Sequence, residues 1–290
     1  MSLRLRLRTE AASSGIVLDG AAITPDRLGG SSPLAAARLA VSTAPVPGAT
    51  TGPASARRGA PALGDLFAID DDGGRAPDTI TLEGDVRDVA RLGAGMNRGR
   101  LHVHGDAGPR AGSLMSGGRL EIDGDAGART GEGMTGGVLV VGGSAGDHLG
   151  APVAGGARGI DGGVIVVRGA AGAMAAFRMR RGTVFIGGAT GPAAGAALLA
   201  GTLVLARAPG PGAAALMRRG TIVVLEPSVP GATFAAAGRA PAPWLAPWWN
   251  ALDVAGVPLP AGLACARFAR YSGDLAEGGR GEILILEGDS

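Results

Sequence analysis

The sequence predicts a mainly β fold in which the middle of the chain winds into a solenoid of parallel strands. Two observations lead to this prediction: glycine and methionine recur every 19 residues, and eight short apolar runs keep the same phase. The glycines that close these runs are 19, 19, 26 and 19 residues apart, and the step of 26 is one period plus a seven-residue insertion. These glycines are Gly105, Gly124, Gly143, Gly169 and Gly188. A fixed period is typical of a solenoid, because one repeat cannot bury its apolar face without stacking on its neighbours.

Each apolar run has the alternation of a β-strand, with large apolar residues at its second and fourth positions, as in Leu101 and Val103. The eight runs are Thr79–Gly84, Arg100–Gly105, Arg119–Gly124, Val138–Gly143, Val164–Gly169, Thr183–Gly188, Thr202–Arg207 and Thr221–Glu226. Because all runs share one phase, each connection has to return the chain to start a parallel strand one layer higher. Each coil then adds about 4.8 Å, and eight coils make a stack of roughly 38 Å.

A second set of glycines lies between the strands and predicts the corners of each coil. In the two most regular repeats these structural turn residues are Gly105, Gly108, Gly112, Gly124, Gly127 and Gly131. Glycine reaches positive φ without a Cβ penalty, so we expect fixed corners at these positions. The frame lacks its glycine at Arg87, Ala176 and Ala214.

The period divides the chain into three predicted parts. Residues 1–76 lack the period and are predicted to form a small α/β region. Residues 77–228 are predicted to form the solenoid of about eight coils. Residues 229–290 follow the end of the period and are predicted to form a C-terminal cap or partner-docking segment.

Local signals predict individual elements in the N-terminal region. Residues 3–8 alternate leucine and arginine, which indicates a strand. Thr24 and Ser32 each precede a proline, which is the pattern of an N-cap and a first helical position. Residues 44–62 are rich in Pro, Ala, Gly and Thr and predict a surface loop, and Leu63–Ile69 is a further candidate strand.

The C-terminal part contains all three tryptophans of the chain, at Trp244, Trp248 and Trp249, and a predicted strand at Glu282–Leu286. One interpretation is a cap that covers the open end of the stack. The other is a contact with a partner protein, since tryptophan is enriched at such interfaces. The two interpretations are compatible.

Composition excludes several classes of protein. The 54 glycines are in register, whereas a disordered segment would carry glycine without phase. The single Cys265 excludes an internal disulfide and a cysteine-rich metal site. All 27 basic residues are arginine, but the formal net charge of +2 and the lack of a basic helix argue against nucleic-acid binding. The N-terminus lacks the apolar core of a signal peptide, and the uncharged residues 182–206 keep the solenoid phase, so we expect a cytoplasmic protein without a membrane span.

Signals for catalysis are weak in this sequence, which has no phosphate-binding loop, nucleophile elbow or zinc-protease motif. His102 and His104 share the outer face of one strand, and Asp123 or Glu121 would lie near them on the next coil. Such a pair can hold a metal, but two solvated histidines are the simpler interpretation, so we assign neither a metal site nor a catalytic residue. Asp106 and Asp125 follow corner glycines, where an aspartate is expected to cap a turn.

One constellation points to an anionic ligand. It consists of five arginines just before two strands: Arg178, Arg180, Arg181, Arg218 and Arg219. Arg181 and Arg219 are 38 residues apart, which is two periods, so they should point the same way about two coils apart. Such a column could bind carboxylates or phosphates of a long ligand, or acidic residues of another subunit; the alternative is a solvated face.

These residues resemble a known family. The matching stretches are Leu92–Met96, the Gly-Asp-Ala-Gly corners at 105–108 and 124–127, the Met-Arg-Arg-Gly units at 179–182 and 217–220, the tail at 270–276 with 281–284, and residues 20–28. The chain is similar to the C subunit of formylmethanofuran dehydrogenase, and more so to the C subunit of the bacterial formyltransferase/hydrolase complex. The GXGXG-type glycine frame alone is less specific, because it is also similar to the C-terminal domain of glutamate synthase.

The resemblance implies a right-handed parallel β-helix and a non-catalytic role in a hetero-oligomer, because the reactive centres of this family belong to other subunits. The hydrolase complex moves a formyl group from formyl-tetrahydromethanopterin to a methanofuran-type carrier and hydrolyses it to formate. Its partners would be a hydrolase with a metal centre, a formyltransferase and a further subunit, and this chain itself would bind no cofactor. The dehydrogenase version uses tungsten or molybdenum. The lysine-free, arginine-rich composition favours the hydrolase complex over the dehydrogenase. The chain could alternatively be an independent enzyme or a glutamate-synthase-like structural module.

Overall fold

The computed structural model describes residues 2–7, 18–19, 23–28, 67–71, 79–84, 86–257, 259, 262–263 and 265–287. Their strands are β1 (Ser2–Leu7), β2 (Leu18–Asp19), β3 (Phe67–Asp71), β4 (Thr79–Glu83), β5 (Val89–Ala90), β6 (Arg100–His104), β7 (Ser116–Ile122), β8 (Gly136–Val141), β9 (Asp161–Val167), β10 (Arg181–Ile186), β11 (Thr202–Leu205), β12 (Thr221–Val224), β13 (Ala236–Pro241), β14 (Arg267–Ser272) and β15 (Glu282–Leu286). The α-helices are α1 (Pro25–Leu28) and α2 (Ala246–Val254), and short 3-10 turns cover Pro243–Leu245 and Leu275–Glu277.

All eight predicted strands are present, and they pair in parallel and in register as consecutive layers of a β-solenoid. The prediction of a mainly β, parallel solenoid of about eight coils is therefore confirmed. The seven-residue insertion does not disturb the register. It bulges out before Ile160, whose backbone amide donates to the Gly150 carbonyl at 2.8 Å. As a result Val141 still pairs with Val167 although they are 26 residues apart.

The sheet continues beyond the eight predicted layers at both ends. At the N-terminal end β1 pairs in parallel with β4, and β3 runs antiparallel on the other side of β1. At the C-terminal end β15 pairs in parallel with β12, and β14 and β13 follow as antiparallel strands. The full sheet has 13 strands, ten of them in one parallel series.

The second and fourth residues of each strand form the core, as the alternation predicts. Leu101, Leu120 and Leu139 are fully buried and are stacked on one another across the layers, and the fully buried Val103 is stacked on Ile122 in the same way. Buried methionines, of which Met115 is one, fill the corners of the coils. Because every inner side chain contacts the equivalent residues of its neighbours, the core is one continuous column rather than a set of separate clusters.

A column of alanines forms a second line of contact between the coils that the repeat did not predict. Ala107, Ala126, Ala145 and Ala171 are joined by isolated parallel bridges, and each is nearly buried. The same series of bridges continues to Val86 at one end and Thr190 at the other, so each of these coils is held at two walls and not only at the main strand.

The corner glycines have two different physical roles. Gly105, Gly112 and Gly131 adopt positive φ of 125°, 65° and 68°, as expected. Gly108 and Gly127 do not have positive φ, so the prediction that these two corners need glycine for a positive φ is wrong. A Cβ on Gly108 would lie 2.5 Å from the Val89 carbonyl oxygen, and one on Gly127 would lie 2.6 Å from the Pro109 nitrogen. At these two positions glycine is needed because the previous coil approaches too closely for a side chain.

The other positions of the glycine frame are also explained either by positive φ or by the close approach of the previous coil. A Cβ on Gly124 would contact a carboxylate oxygen of Asp106, which again makes close approach the reason for glycine. Ala176 and Ala214 replace corner glycines and still adopt positive φ of 56° and 61°, so the turn is kept without glycine. Arg87 lies in the column of Gly108, where positive φ is not required.

The N-terminal elements agree with the local signals where the structure describes them. The predicted strand at 3–8 is β1, and the predicted helix start at Thr24 is followed by α1. The candidate strand at 63–69 corresponds in part to β3. The predicted loop at 44–62 and the helix start at Ser32 lie outside the described residues, and the division at 76 and 228 remains a prediction.

The outer face of the sheet changes character half-way along the stack. The third residue of the strand is polar in the first layers, with His102 and Glu121, and apolar from β8 onward. The apolar residues of this row are Val140, Val166, Phe185, Val204, Val223 and Leu284. The C-terminal segment packs its own apolar residues on this row, among them Leu245, Trp249 and Leu252. The tryptophan segment therefore covers the side of the solenoid, whereas β13 and β14 complete its C-terminal edge.

None of the helices in the described ranges has the length and apolar character needed to cross a membrane. The uncharged residues 182–206 form most of β10, all of β11 and the connection between them.

Candidate anion-binding surface

The five predicted arginines lie where two coils turn into their strands. Each Met-Arg-Arg-Gly unit places its methionine, Met179 or Met217, fully in the core. The glycine that ends the unit, Gly182 or Gly220, has positive φ of 91° or 95°. The two arginines between them are thereby held on the surface at the entrance to the strand.

Arg180 and Arg218 occupy equivalent positions and are both engaged in ion pairs. The Arg180 guanidinium donates to Asp161 at 3.1 Å, and the Arg218 guanidinium donates to Glu277 at 3.0 Å. The first pair joins β9 to the approach to β10, and the second joins the C-terminal segment to the last regular coil. These two arginines therefore stabilise the fold and are less available for a ligand than the prediction assumed.

Arg181 and Arg219 lie in one column, as the 38-residue spacing predicts. Each stands two residues before a threonine, and these threonines belong to the register Thr183, Thr202, Thr221. Two layers separate the two arginines, which is about 9.6 Å. Both are exposed. Arg181 is 3.9 Å from Asp161, which is too far for a hydrogen bond, and Arg219 has no side-chain partner among the described residues.

Arg280 extends this column by one layer. It stands two residues before Glu282, which pairs with Thr221, so it follows Arg219 at about 4.8 Å along the stack. It is exposed and makes no ion pair within the described part of the chain. Sequence reasoning missed this residue because the repeat is interrupted before it. The signal that could have found it is the likeness of the two stretches Arg219–Ile222 and Arg280–Ile283.

Arg178 is not part of the column. It adopts positive φ of 53°, is half-buried, and its backbone amide donates to the Ala196 carbonyl at 3.1 Å. A different arginine, Arg158 from the seven-residue insertion, is 3.9 Å from Asp161. We define the arginine surface as Arg181, Arg219 and Arg280, three exposed arginines at equivalent positions of the stack that make no ion pair shorter than 3.9 Å with the described residues.

The histidines form a second arrangement on the outer face. His102 Nε2 is 2.8 Å from one carboxylate oxygen of Asp123, and His104 Nδ1 is 2.7 Å from the other. The two rings are 4.1 Å apart between centroids. Burial raises the pKa of Asp123, but the hydrogen bonds from His102 and His104 outweigh it and hold the pKa below its ordinary value. The two histidines thus share one carboxylate and are not simply solvated.

Asp106 and Asp125 cap the neighbouring coil instead of their own turn. One oxygen of Asp106 accepts from the Asp125 amide at 2.9 Å, and one oxygen of Asp125 accepts from the Ser144 amide at 2.7 Å. The role is structural, in line with the prediction, and it adds a ladder of side chain to backbone bonds along this corner.

Two pockets in the described residues do not combine a nucleophile with a base. One is lined by Arg270 and Glu282, which pair with each other at 3.1 Å, together with Trp244 and small apolar residues. The other, of about 250 Å³, lies at the C-terminal end of the stack and is lined by Ser228 and by glycine, alanine, proline and aliphatic residues such as Ile222 and Ile283.

Comparison with known proteins decides the family. No protein-family model and no curated protein matched the sequence. A chain of the X-ray crystal structure of the formyltransferase/hydrolase complex from Methylorubrum extorquens, solved in complex with methylofuran, is 34% identical and superposes with a TM-score of 0.82. The match covers 98% of this chain and 100% of the other. This chain belongs to the family of the C subunit of the formyltransferase/hydrolase complex.

For a member of the formyltransferase/hydrolase C-subunit family, the extent of the match is informative. A likeness limited to the glycine frame, as expected of a glutamate-synthase-like module, would leave the N-terminal and C-terminal parts unmatched. The match instead spans practically the whole chain, including the C-terminal segment that carries Glu277 and Arg280. The resemblance drawn from the sequence is therefore confirmed.

Proposed function

We propose that this chain is a non-catalytic scaffold subunit of a formyltransferase/hydrolase complex. The observation that carries the proposal is the full-length similarity to a chain of such a complex. The complex would transfer the formyl group from the nitrogen of formyl-tetrahydromethanopterin to the amine of a methanofuran-type carrier. Water would then cleave the new formyl–nitrogen bond, releasing formate and the free amine.

The shape of the chain supports a scaffold role. The solenoid presents long walls to its surroundings, and in the described residues its interior is a continuous column of mainly aliphatic side chains that holds no charged group. The partners would be a hydrolase with a metal centre, a formyltransferase and a further subunit, assembled as a hetero-oligomer in the cytoplasm. The chain itself would supply no cofactor and no reacting group.

The arginine surface would hold the acidic part of the carrier. Three arginines at equivalent backbone positions, whose layers are about 4.8 and 9.6 Å apart, match a flexible chain that carries repeated carboxylates. Arginine suits this task because its planar fork binds carboxylates bidentately and stays charged at any physiological pH. The relative from Methylorubrum extorquens was solved with methylofuran, and a carrier of that class is the ligand we propose here.

The scaffold role is tested by purifying the complex and the lone chain in parallel. We expect co-purification with a metal-dependent hydrolase and a formyltransferase, and activity only in the complex. Measurable formyl transfer or hydrolysis by the lone chain would contradict the scaffold role. A partner carrying a tungsten or molybdenum centre would assign the chain to a dehydrogenase instead.

Carrier binding is tested with the double variant Arg181→Ala/Arg219→Ala in the assembled complex. We expect weaker binding of the carrier and a shallower dependence of affinity on salt, because exposed charge pairs are screened by added ions. The matched control, Arg98→Ala/Arg100→Ala, removes the same charge from exposed positions elsewhere on the surface. Equal affinity and equal salt dependence in the two double variants would show that the arginine surface does not bind the carrier. That result would not contradict the scaffold role.

A further inference from the structure

We propose that His102, His104 and Asp123 form a binding site for one divalent transition-metal ion of the zinc type on the outer face of the solenoid. The site is separate from the arginine surface and does not depend on the proposed function. It lies on layers β6 and β7, at the polar end of the outer face that the C-terminal segment leaves uncovered.

The fold fixes the three side chains on one side of the sheet. Leu101 and Val103 are fully buried in the core, so the strand alternation turns His102 and His104 outward together. Asp123 lies one 19-residue period above His104, and its backbone amide donates to the Val103 carbonyl at 3.0 Å. The three residues are thus held by the rigid ladder of the solenoid.

The distances suit a small ion. One nitrogen from each ring and a carboxylate oxygen of Asp123 all lie within 4.8 Å of one another. Ligand bonds to zinc of about 2.0–2.2 Å place tetrahedral ligands about 3.3 Å apart. Because His102 and His104 already converge on the two oxygens of one carboxylate, small side-chain rotations would bring the three ligand atoms around one ion.

The chemistry of the ligands selects the kind of metal. Two imidazole nitrogens and one carboxylate oxygen suit Zn²⁺, Cu²⁺, Ni²⁺ or Co²⁺, whereas Mg²⁺ and Ca²⁺ prefer oxygen ligands throughout. Three protein ligands leave at least one coordination position for water or for a group from outside the chain.

The charges around the site single out Asp123 from the other carboxylates. Glu83, which pairs with His104 across the sheet, accepts from Arg6 at 2.9 Å and lies 3.3 Å from Arg4. Glu121, which pairs with His102, accepts from Arg119 at 2.7 Å.

Both neighbouring carboxylates are therefore neutralised by arginine. Asp123 has the imidazoles of His102 and His104 as its side-chain partners and no arginine within ion-pair distance in the described residues. A metal ion would replace the shared hydrogen bonds without competing with a guanidinium group.

The test uses the tag-free full chain, stripped with a chelator and titrated with Zn²⁺ alone by calorimetry. We expect one ion per chain, and binding at least about tenfold weaker in His104→Gln and in Asp123→Asn. Glu121→Gln is the matched control, because it removes an adjacent carboxylate of the same strand that is not a ligand; its affinity should be unchanged. No saturable binding at millimolar Zn²⁺, or equal weakening in the control, would overturn the proposal.

A second set of measurements uses only the wild-type chain and therefore does not depend on the folding of a variant. Co²⁺ added to the stripped wild-type chain should give the visible absorption of a low-coordinate nitrogen–oxygen site. In imidazole NMR spectra, Zn²⁺ should shift two of the three histidines and leave His148 unchanged, since His148 lies on a corner two layers away. Shifts of all three histidines together, or of none, would contradict a site at His102 and His104.

Discussion

The carboxylate of Asp274 accepts a 2.7 Å hydrogen bond from the backbone amide of Leu216 and so joins the C-terminal segment to the last regular coil of the solenoid. Its other oxygen accepts from the Ala276 amide at 2.9 Å, which starts the short 3-10 turn. Asp274 is almost fully buried, and both bonds are partly buried. One side chain therefore satisfies the backbone of two segments that are 58 residues apart in sequence.

Replacing this carboxylate should loosen the C-terminal end of the stack. Asp274→Ala leaves the Leu216 amide without its partner in a half-buried position, and such a loss costs about 1–3 kcal/mol. We expect the free energy of unfolding in urea to fall by that amount. Asp253→Ala is the control, because Asp253 is exposed on α2, and it should change stability by less than about 0.5 kcal/mol. Equal losses in the two variants would contradict the structural role of Asp274.

Lowering the pH should remove the contribution of Asp274 to the free energy of unfolding of the wild-type protein. Burial raises the pKa of Asp274, but the backbone hydrogen bonds from Leu216 and Ala276 outweigh it and hold the pKa below its ordinary value. A lowered pKa in the folded state means that the stabilisation is complete above the unfolded-state pKa, about 3.9, and is lost as pH falls through the folded-state pKa. The difference in unfolding free energy between wild type and Asp274→Asn should therefore be constant near neutral pH and shrink below about pH 4. A difference that stays constant down to pH 2 would refute this assignment.

The close approach of neighbouring coils predicts that Gly127 cannot carry a side chain. A Cβ there would lie 2.6 Å from the Pro109 nitrogen, so Gly127→Ala has to push two backbones apart. Overpacking of this kind costs about 1–3 kcal/mol, measured as a loss of unfolding free energy. At Gly231 the nearest atoms to a Cβ are 3.8 Å away, so Gly231→Ala is expected to be neutral or slightly stabilising. If Gly127→Ala were as stable as Gly231→Ala, the steric explanation of this column would be wrong.

The sequence was sufficient to predict the layers of the solenoid and their register, because each layer repeats the same burial pattern. Leu120 and Leu139, one period apart, are also direct neighbours in the sheet. The outer face was not predicted, although its signal is present in the third residue of each strand. That residue is Glu121 in β7 and Val140 in β8, and an apolar residue on an outward face requires a cover.

The candidate sites were predictable only where the period is unbroken. The alignment of Arg181 with Arg219, and of Asp123 with His104, follows from whole periods along the chain. Arg280 continues the arginine column, but 61 residues with a helix and two antiparallel strands separate it from Arg219. The engagement of Arg218 by Glu277 depends on how the C-terminal segment folds back, which no local pattern specifies.

The packing of the C-terminal segment on the outer face of the sheet leads to a prediction about Trp249. Its side chain is nearly buried against the apolar row, so Trp249→Ala leaves a large cavity and should cost about 3–5 kcal/mol of unfolding free energy. The indole Nε1 is buried without a hydrogen-bond partner among the described residues. Trp249→Phe keeps most of the apolar contact and removes that unsatisfied donor, so we expect it to cost clearly less than the alanine variant.

Trp244 supplies the comparison for this prediction, because it belongs to the same segment but its side chain remains 44% exposed. It meets Trp248 edge to face at 6.1 Å between ring centroids, a contact worth about 0.5–1.5 kcal/mol. Trp244→Ala should lose no more than that, and limited proteolysis should cut residues 243–257 much faster only in Trp249→Ala. Similar losses for Trp244→Ala and Trp249→Ala would mean that the segment is held by its internal contacts and not by the outer face of the sheet. The third residue of each strand is apolar from β8 onward because the C-terminal segment packs on it. Trp249→Ala therefore tests both this packing and the explanation of the apolar row.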